Sequence, residues 1–162
     1  EDADVIVNVQ GDAFGLPSLL IDQVAAALVQ RPARAMATLC EPITSDSEAQ
    51  DPNSVKVVFD ATGRALYFSR APLPWSAGGA LTRHRHVGLY AYRAGFLRQF
   101  GSLPPGALEQ SERLEQLRAL HHGYEIQVEI ARAAAGIGVD SPADLARARE
   151  LARTGNVTLR DR

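Results

Sequence analysis

The sequence has 162 residues, of which 46% are apolar and 22% charged, a composition typical of a globular domain rather than of a disordered or fibrous chain. Its 17 basic and 19 acidic side chains give a net charge of −2, which predicts no nucleic-acid partner. The chain has no secretory signal pattern and no apolar run of roughly eighteen residues, so we expect no membrane span. The single Cys40 excludes an internal disulfide and indicates a buried structural thiol in a reducing, cytoplasmic compartment.

The chain begins almost at once with an apolar block, Val5–Val9, followed by Gly11 and Asp12. Its β-branched residues predict a strand buried on both faces of a parallel sheet. Ligands bind at the carboxyl ends of such strands, so Asp12 is a candidate site residue. The alternative for this stretch alone is an ordinary turn carboxylate. Because a domain seldom opens on its central strand, we expect an amino-terminal portion to be missing.

Strand and helix patterns alternate through the first half of the chain. The predicted elements are a helix at 17–30, a strand at 34–40, a loop with a short helical turn at 41–54, and a hairpin of strands 55–59 and 65–69. Pro17 suits the first helical position. The turn of the hairpin is predicted at 60–63, where Gly63 supports it.

The second half continues the same alternation. The predicted elements are a loop at 70–85, a strand at 86–92, a short helix through Phe96 and Phe100, a helix at 108–121, a strand at 124–130 and a helix through 145–151. In the helix at 108–121, the inward set is Leu114, Leu117 and Leu120, and the outward set is Glu109, Glu112 and Arg113.

A second strand-end loop is predicted at 136–144. Ser141 and Asp144 have the spacing of a capping box, and Pro142 falls at the first position of the last helix. Residues 154–162 show no pattern and predict a tail. We therefore expect one domain over 1–153.

Two of these loops present an acid after glycine-rich backbone, Asp12 and Asp140. Two carboxylates about 4 Å apart repel by roughly 4 kcal/mol at an effective dielectric of about 20, and a divalent cation relieves that repulsion. Magnesium is typically bound by a few protein oxygens, with water and phosphate oxygens as its other ligands. A magnesium ion beside phosphates implies phosphoryl or nucleotidyl transfer. The spacing alone leaves open whether the two loops meet.

Six strings occur in an order that resembles the 3-deoxy-manno-octulosonate cytidylyltransferase, or CMP-Kdo synthetase, family. They are VNVQGD at 7–12, NSVKVV at 53–58, ALYFSRAPLPW at 65–75, RHVGLYAYR at 85–93, LEQLR at 114–118 and GVDSP at 138–142. Together they cover the chain to about residue 152. The resemblance implies an α/β fold of the nucleotide-diphospho-sugar transferase type. This is a Rossmann-like mixed sheet with a mainly parallel centre and helices on both faces.

The resemblance also implies an enzyme of lipopolysaccharide biosynthesis that couples CTP to the acid sugar Kdo and releases pyrophosphate. The anomeric hydroxyl of the sugar would attack the α-phosphorus of CTP, with magnesium offsetting the charge on the phosphates. Members of the family are typically homodimers joined through a projecting segment, which would lie near 68–85.

The resemblance implies a role for each residue that matches its motifs. Asp12 and Asp140 would hold the metal, and Arg70 would face the sugar carboxylate with its guanidinium fork. The other substrate-binding residues implied are Gln10, His86, Tyr90, Glu115 and Gln116.

Each of these residues has a plainer interpretation. Arg70 could be a solvated loop charge, and His86 could belong to a surface patch with His84. Tyr90 could be ordinary strand packing. Glu115 and Gln116 could lie on a solvated helix face, with a contact between Glu112 and Gln116.

Two departures from the family pattern weigh against a complete site. Ala13 and Phe14 stand where the family usually has Glu-Pro. The basic glycine loop that holds the triphosphate in the family is expected to belong to the missing amino-terminal portion. These departures favour the alternative of a non-catalytic remnant that retains the sugar-binding and dimer surface. A transferase for another acid sugar is a second alternative, because the pocket residues do not by themselves fix the sugar.

Overall fold

In the computed structural model, which describes residues 4–78, 81–139 and 141–154, helices pack on both faces of a mixed sheet. The strands are β1 Val5–Val9, β2 Ala13–Phe14, β3 Met36–Pro42, β4 Lys56–Phe59, β5 Ala65–Ser69, β6 His84–Arg93, β7 Ile126–Ile130 and β8 Ile137–Gly138. The helices are α1 Ser18–Val29, α2 Asp46–Gln50, α3 Ala94–Phe100, α4 Ala107–Glu112, α5 Gln116–His121 and α6 Pro142–Arg153. The predicted α/β class and most predicted boundaries are confirmed.

The six-stranded sheet is organised around β6, the longest strand described. One edge of β6 pairs with β3, and the other edge pairs with β4 near His84 and with β1 near Arg93. All three of these pairings are antiparallel. Parallel pairing among the described residues is limited to β3 with β7, so the predicted mainly parallel centre is wrong. The chain reverses direction at the β4–β5 hairpin and enters β6 antiparallel to its neighbours.

The first strand, β1, is less buried than its sequence predicts. Val5 and Val7 pack on the cluster around α1, but Ile6 is 39% exposed and Val9 is 42% exposed. Among the described residues β1 pairs only with β6, and it does so antiparallel. The expectation of a strand buried on both faces of a parallel sheet is therefore wrong, because one strand edge and part of one face have no neighbour in the described chain.

Two hydrophobic clusters lie on opposite faces of the sheet, as the alternation within β3 shows. Met36 and Cys40 belong to the cluster that packs under α3 and α5, whereas Ala37 and Leu39 belong to the cluster under α1. Cys40 is fully buried, and burial together with Glu41 raises the pKa of its thiol to about 12. The predicted structural thiol is confirmed, since a protonated buried thiol is a poor nucleophile.

The helix predicted at 108–121 is interrupted. It forms α4 and α5, which are separated by residues 113–115, and Arg113 there adopts a left-handed conformation with φ of 54°. Leu114 and Leu117 are buried as predicted, but Glu109 is only 7% exposed. Its carboxylate accepts hydrogen bonds of 2.9 and 2.5 Å from Arg118, so the outward placement of Glu109 is wrong. A buried carboxylate is tolerated here because a guanidinium pairs with it in bidentate fashion.

The last described helix, α6, begins as the sequence predicts. Ser141 caps it, and Asp144 completes the capping box. The predicted tail at 154–162 lies outside the described residues beyond Thr154. Within the described ranges, no helix has the length and apolar character needed to cross a membrane.

Candidate active site

A cavity of about 790 Å³ opens at the carboxyl end of β1. Its polar lining comes from four parts of the chain: Gln10 and Asp12; Glu48, Asp51, Asn53 and Ser54; Arg85 and His86; and Asp144 and Arg147. The backbone of residues 135–138 forms another wall. A concave site with converging polar groups is the usual setting for ligand binding.

The loop after β1 and the loop around β8 are joined beside this cavity. Ala13 and Phe14 of β2 pair antiparallel with Gly138 and Ile137 of β8, a small sheet that the sequence did not predict. The amide of Val139 also donates to the carbonyl of Asp12 at 3.0 Å. The two predicted acid-bearing loops therefore meet. Asp140, the second predicted metal ligand, lies outside the described residues.

Gly136 is required where these two loops approach each other. Its φ is +78°, and a Cβ at this position would lie 2.2 Å from the carbonyl oxygen of Phe14. Any side chain would force the two backbones apart. By contrast, Gly11 has open space around it and no positive φ, so the turn after β1 does not depend on glycine at that position.

Asp12 faces the cavity with an exposed side chain. Among the described residues, no group of three or more His, Cys, Asp or Glu side chains could hold a metal ion. A cation bound here would take few protein ligands and complete its shell with water or phosphate oxygen. That donor chemistry fits magnesium, which keeps several waters and is commonly bound by one or two carboxylates and substrate phosphates.

His86 lies at the inner side of the cavity and is held on several sides. Its Nε2 lies 3.0 Å from the hydroxyl of Thr38. Its ring packs edge-on against Phe68, with centroids 5.1 Å apart, and in a tilted contact against Tyr90, with centroids 5.3 Å apart. Burial and the charge of Arg85 lower the pKa of His86 to about 3, so the imidazole is neutral at ordinary pH. The alternative of a surface patch is wrong for this residue.

Tyr90 continues the aromatic contacts away from the cavity toward Glu115. Its ring lies 5.8 Å from that of Tyr92 between centroids. Burial raises the pKa of Tyr90, and Tyr92 and the Glu115 carboxylate raise it further. Burial and Glu115 also raise the pKa of Tyr92, to about 12. Glu115 is therefore close enough to act on both rings, although its own side chain is exposed.

Gln116 is buried, with 5% of its surface exposed, so the solvated-face alternative is wrong for it. Within the described part of the chain, its Nε2 has no hydrogen-bond partner. A buried amide donor without a partner costs free energy unless a ligand or water satisfies it. This atom is therefore a donor that the described fold leaves unsatisfied.

Arg70 does not line the cavity, and neither do Tyr90, Glu115 and Gln116. Its guanidinium donates from Nε to the carbonyl of Glu112 and from Nη1 to the carbonyl of Pro52, each at 2.9 Å. Pro52 stands between Asp51 and Asn53, which do line the cavity. Arg70 is therefore anchored to the segment that lines one side of the cavity, and it is more than a solvated loop charge.

Glu112, which the sequence placed on an outward helix face, organises the residues around Arg70. Its carboxylate accepts from Ser69 Oγ at 2.6 Å, from the Arg70 amide at 2.9 Å and from Tyr67 Oη at 3.4 Å. Nothing in the local pattern of a charged helix distinguishes this residue.

A second network that sequence reasoning missed supports the opposite wall. Arg85 forms an ion pair with Glu41 and a longer one of 3.5 Å with Glu48. The other oxygen of Glu41 accepts from the amide of Ala135 at 2.7 Å. This network connects β3, β6 and the segment that leads into the Gly136 loop. Opposite charges in register on paired strands were the available signal, but that register depends on tertiary structure.

Comparison with known proteins gives consistent results. A profile of the cytidylyltransferase family matches residues 1–129. The 3-deoxy-manno-octulosonate cytidylyltransferase of Thioalkalivibrio sulfidiphilus is 51% identical over 160 residues, covering 94% of this chain and 64% of the relative. The protein of the same name from Pectobacterium carotovorum is 51% identical over 158 residues, covering 93% of this chain and 63% of the relative.

A solved structure is also similar over most of the described fold. It is CMP:2-keto-3-deoxy-manno-octonic acid synthetase complexed with CTP, with a TM-score of 0.89 and 39% sequence identity. The match covers 95% of this chain and 64% of that structure. The chain thus spans a little less than two thirds of the length of the proteins it matches.

Proposed function

The chain belongs to the cytidylyltransferase family, and on that premise we propose that the protein containing it couples CTP to 3-deoxy-manno-octulosonate and releases pyrophosphate. The observation that carries the proposal is sequence similarity. Two relatives named for that activity are each 51% identical to this chain, over 94% and 93% of its length. The CTP complex of the similar solved structure supports the choice of nucleotide.

In the proposed reaction the anomeric hydroxyl of the sugar attacks the α-phosphorus of CTP. A new phosphorus–oxygen bond forms, the bond to the β-phosphate bridge breaks, and the hydroxyl proton is lost. Asp12, with Asp140, would hold a magnesium ion. When bound, that ion supplies positive charge that offsets the charge on the phosphates. Asp12 suits the role because its carboxylate faces the cavity and is exposed.

The chain's own residues supply the sugar side of the proposed site. Gln10 and His86 face the cavity, and Tyr90 packs on His86. Neutral His86 and the unpartnered amide of Gln116 suit hydroxyl and other uncharged oxygens. Arg70 suits the sugar carboxylate, and Glu115 would contact a hydroxyl as an acceptor.

We also propose that the protein acts in the cytoplasm, in the synthesis of lipopolysaccharide precursors, and that it is a homodimer. The dimer contact would use the segment at 68–85, where Trp75 is 82% exposed and Leu81 is 44% exposed. Large exposed apolar side chains grouped in one segment indicate an interaction surface. A light-scattering concentration series that detects only monomer would rule out the dimer.

The test of the proposed activity is pyrophosphate release from CTP, the sugar and magnesium. It compares this chain, its Asp12→Asn variant, and a longer protein that includes the upstream residues. Turnover by the longer protein, with loss on Asp12→Asn, is the expected result. No turnover in either length would favour a non-catalytic remnant, and turnover only with a different acid sugar would correct the substrate.

A further inference from the structure

Thr38 is fully buried in β3, at the place where the pairing between β3 and β6 shifts register. Thr38 pairs with Tyr90, but Leu39 pairs with Val87, so two residues of β6 have no counterpart on β3. This irregularity brings two carbonyl oxygens to the Thr38 side chain. Its Oγ1 lies 3.0 Å from the carbonyl of Val87 and 2.8 Å from the carbonyl of Leu89. A bulge of this kind redirects groups at the edge of a site.

The same hydroxyl has a third neighbour, His86 Nε2, at 3.0 Å. A hydroxyl carries one hydrogen and can accept through its lone pairs, whereas a carbonyl oxygen can only accept. If the hydrogen pointed at His86, both carbonyls would face the hydroxyl oxygen with no hydrogen between them. Such an arrangement in a buried place is costly. When the hydrogen is directed to one carbonyl, or shared between the two, at most one such contact remains, and the hydroxyl oxygen accepts from Nε2–H.

We propose that Thr38 is a positioning residue that fixes His86 in the tautomer with hydrogen on Nε2, which leaves Nδ1 as the acceptor nitrogen of an imidazole that lines the cavity. The contacts with Phe68 and Tyr90 hold the ring in this orientation. The low pKa of His86 supports the assignment, because a neutral imidazole has one donor and one acceptor nitrogen.

This tautomer determines which ligand group His86 can bind. An acceptor at Nδ1 pairs with a hydroxyl, which can donate, and not with an ionised carboxylate or a phosphate oxygen, which cannot. If the protein acts on the sugar acid proposed above, on which this step rests, His86 recognises a sugar hydroxyl. The sugar carboxylate is then left to a cation such as Arg70.

The tautomer can be measured directly without any substrate. Side-chain ¹⁵N correlation spectra distinguish a protonated from an unprotonated ring nitrogen, and a His86→Asn variant assigns the His86 signals. In the full-length protein at neutral pH we expect hydrogen on Nε2 and none on Nδ1. Thr38→Ser, which retains the hydroxyl, should preserve this pattern. Thr38→Val, which has nearly the same shape without the hydroxyl, should give a mixture of tautomers.

A wild-type spectrum with hydrogen on Nδ1 would overturn the proposal, whatever the variants do. Folded Thr38→Val protein with the wild-type spectrum would also overturn it, since the hydroxyl would then not set the tautomer. If Thr38→Val does not fold, Thr38→Ala gives the same comparison with a smaller side chain. These outcomes hold even if the proposed activity proves wrong, because no turnover is required.

Kinetics then tests the consequence for the ligand. Losing one well-placed hydrogen bond should raise KM for the sugar by about 5- to 10-fold in Thr38→Val, with KM for CTP unchanged. Thr38→Ser should restore a KM near that of the wild type. Equal increases in both KM values, or a fall in kcat alone, would indicate a merely structural role and contradict the positioning role.

Discussion

Asp12 and Arg70 were both predicted as site residues, but the regions around them are built differently. Within the described chain, the Asp12 side chain makes no hydrogen bond or ion pair, and it is exposed to the cavity. Around Arg70, the Glu112 carboxylate takes three hydrogen bonds, and the guanidinium itself is bound to two carbonyl oxygens. The Asp12 carboxylate is open to a ligand, whereas the Glu112 carboxylate is already paired by the fold and Arg70 is anchored through two of its five N–H groups.

This difference indicates how substitutions in the two regions should behave. Removing an exposed carboxylate that has no protein partner leaves the stability of the folded state nearly unchanged. Such a substitution should lower activity and not stability. Removing Glu112 leaves hydrogen-bond donors inside the protein without partners. Such a substitution should first lower the free energy of unfolding. Substitutions at Asp12, Glu112 and Gly136 test this separation.

On the proposed function, Asp12→Asn should lower kcat/KM by about 100- to 1,000-fold, because a carboxylate in the proposed metal-holding role is worth several kcal/mol. The melting temperature should stay within about 2 °C of the wild type, as for an exposed substitution of small cost. Steady-state kinetics and thermal unfolding measure the two effects. Asp22→Asn, the same change on the exposed side of α1, is the matched control and should alter neither. A comparable loss in Asp22→Asn would mean that the effect of Asp12→Asn does not depend on its position in the cavity.

Glu112→Ala should lower the free energy of unfolding by about 2–4 kcal/mol, since it leaves buried Ser69 and the Arg70 amide without an acceptor. Urea unfolding measures the change. Gln110→Ala removes an exposed polar side chain from the same helix and should change stability by less than about 0.5 kcal/mol. Equal stability of the two variants would mean that the Glu112 network contributes nothing.

Gly136→Ala tests whether the cavity region, although open, has a rigid backbone. The added Cβ would meet the carbonyl oxygen of Phe14 at 2.2 Å and the residue has a positive φ, so we expect a loss of about 1–3 kcal/mol. Gly95→Ala is the control, because no atom beyond its chain neighbours and its own helix backbone lies within 4 Å of its Cβ position. That change in α3 should be neutral or stabilising by about 0.5–1 kcal/mol. Thermal unfolding of both variants measures the two changes in stability, and equal stability of the two variants would contradict a rigid backbone at Gly136.

The pH dependence of stability gives the smallest expected effect. Burial by itself raises the pKa of Glu112, but hydrogen bonds from Ser69, Arg70 and Tyr67 outweigh burial and hold the pKa below its ordinary value of 4.5. Since the folded pKa is the lower one, ionised Glu112 contributes full stability above the unfolded pKa and loses it as pH falls through the folded pKa.

We therefore expect Glu112→Gln to be less stable than the wild type at about pH 6 and to lose less stability than the wild type on going to about pH 3. Urea midpoints at several pH values measure the two slopes. The wild-type slope will not vanish in the variant, because Glu109 also has a lowered pKa, set by hydrogen bonds from Arg118. Parallel slopes would show that Glu112 is not the group responsible.

Much of the fold and part of the site could be predicted from the sequence. The helix α1, the β4–β5 hairpin and the capping box of α6 depend on residues close together in the chain. Asp12 was identified because a carboxylate after an apolar strand lies at a sheet edge where ligands bind, and the cavity is found there. The other site residues came from matching motifs, and the structure brings Gln10 and His86 to the same cavity.

The interrupted helix shows where local pattern stops being sufficient. The spacing of Leu114 and Leu117 fits a continuous helix, and both are buried as expected. The pattern does not contain the left-handed Arg113, nor the partners that draw Glu109 and Glu112 inward. Those partners come from α5 and from β5, and only packing brings them together.

Periodicity, caps and turns specified the elements of this protein, because each depends on interactions within a few residues. The direction of β1, the single parallel pair within the described sheet, and the junction of the Asp12 and Val139 loops were decided by tertiary structure. So was the state of His86, whose hydrogen-bond partner Thr38 is 48 residues away in the chain. A sequence names the side chains that can do chemistry, but their protonation and orientation depend on neighbours that only folding supplies.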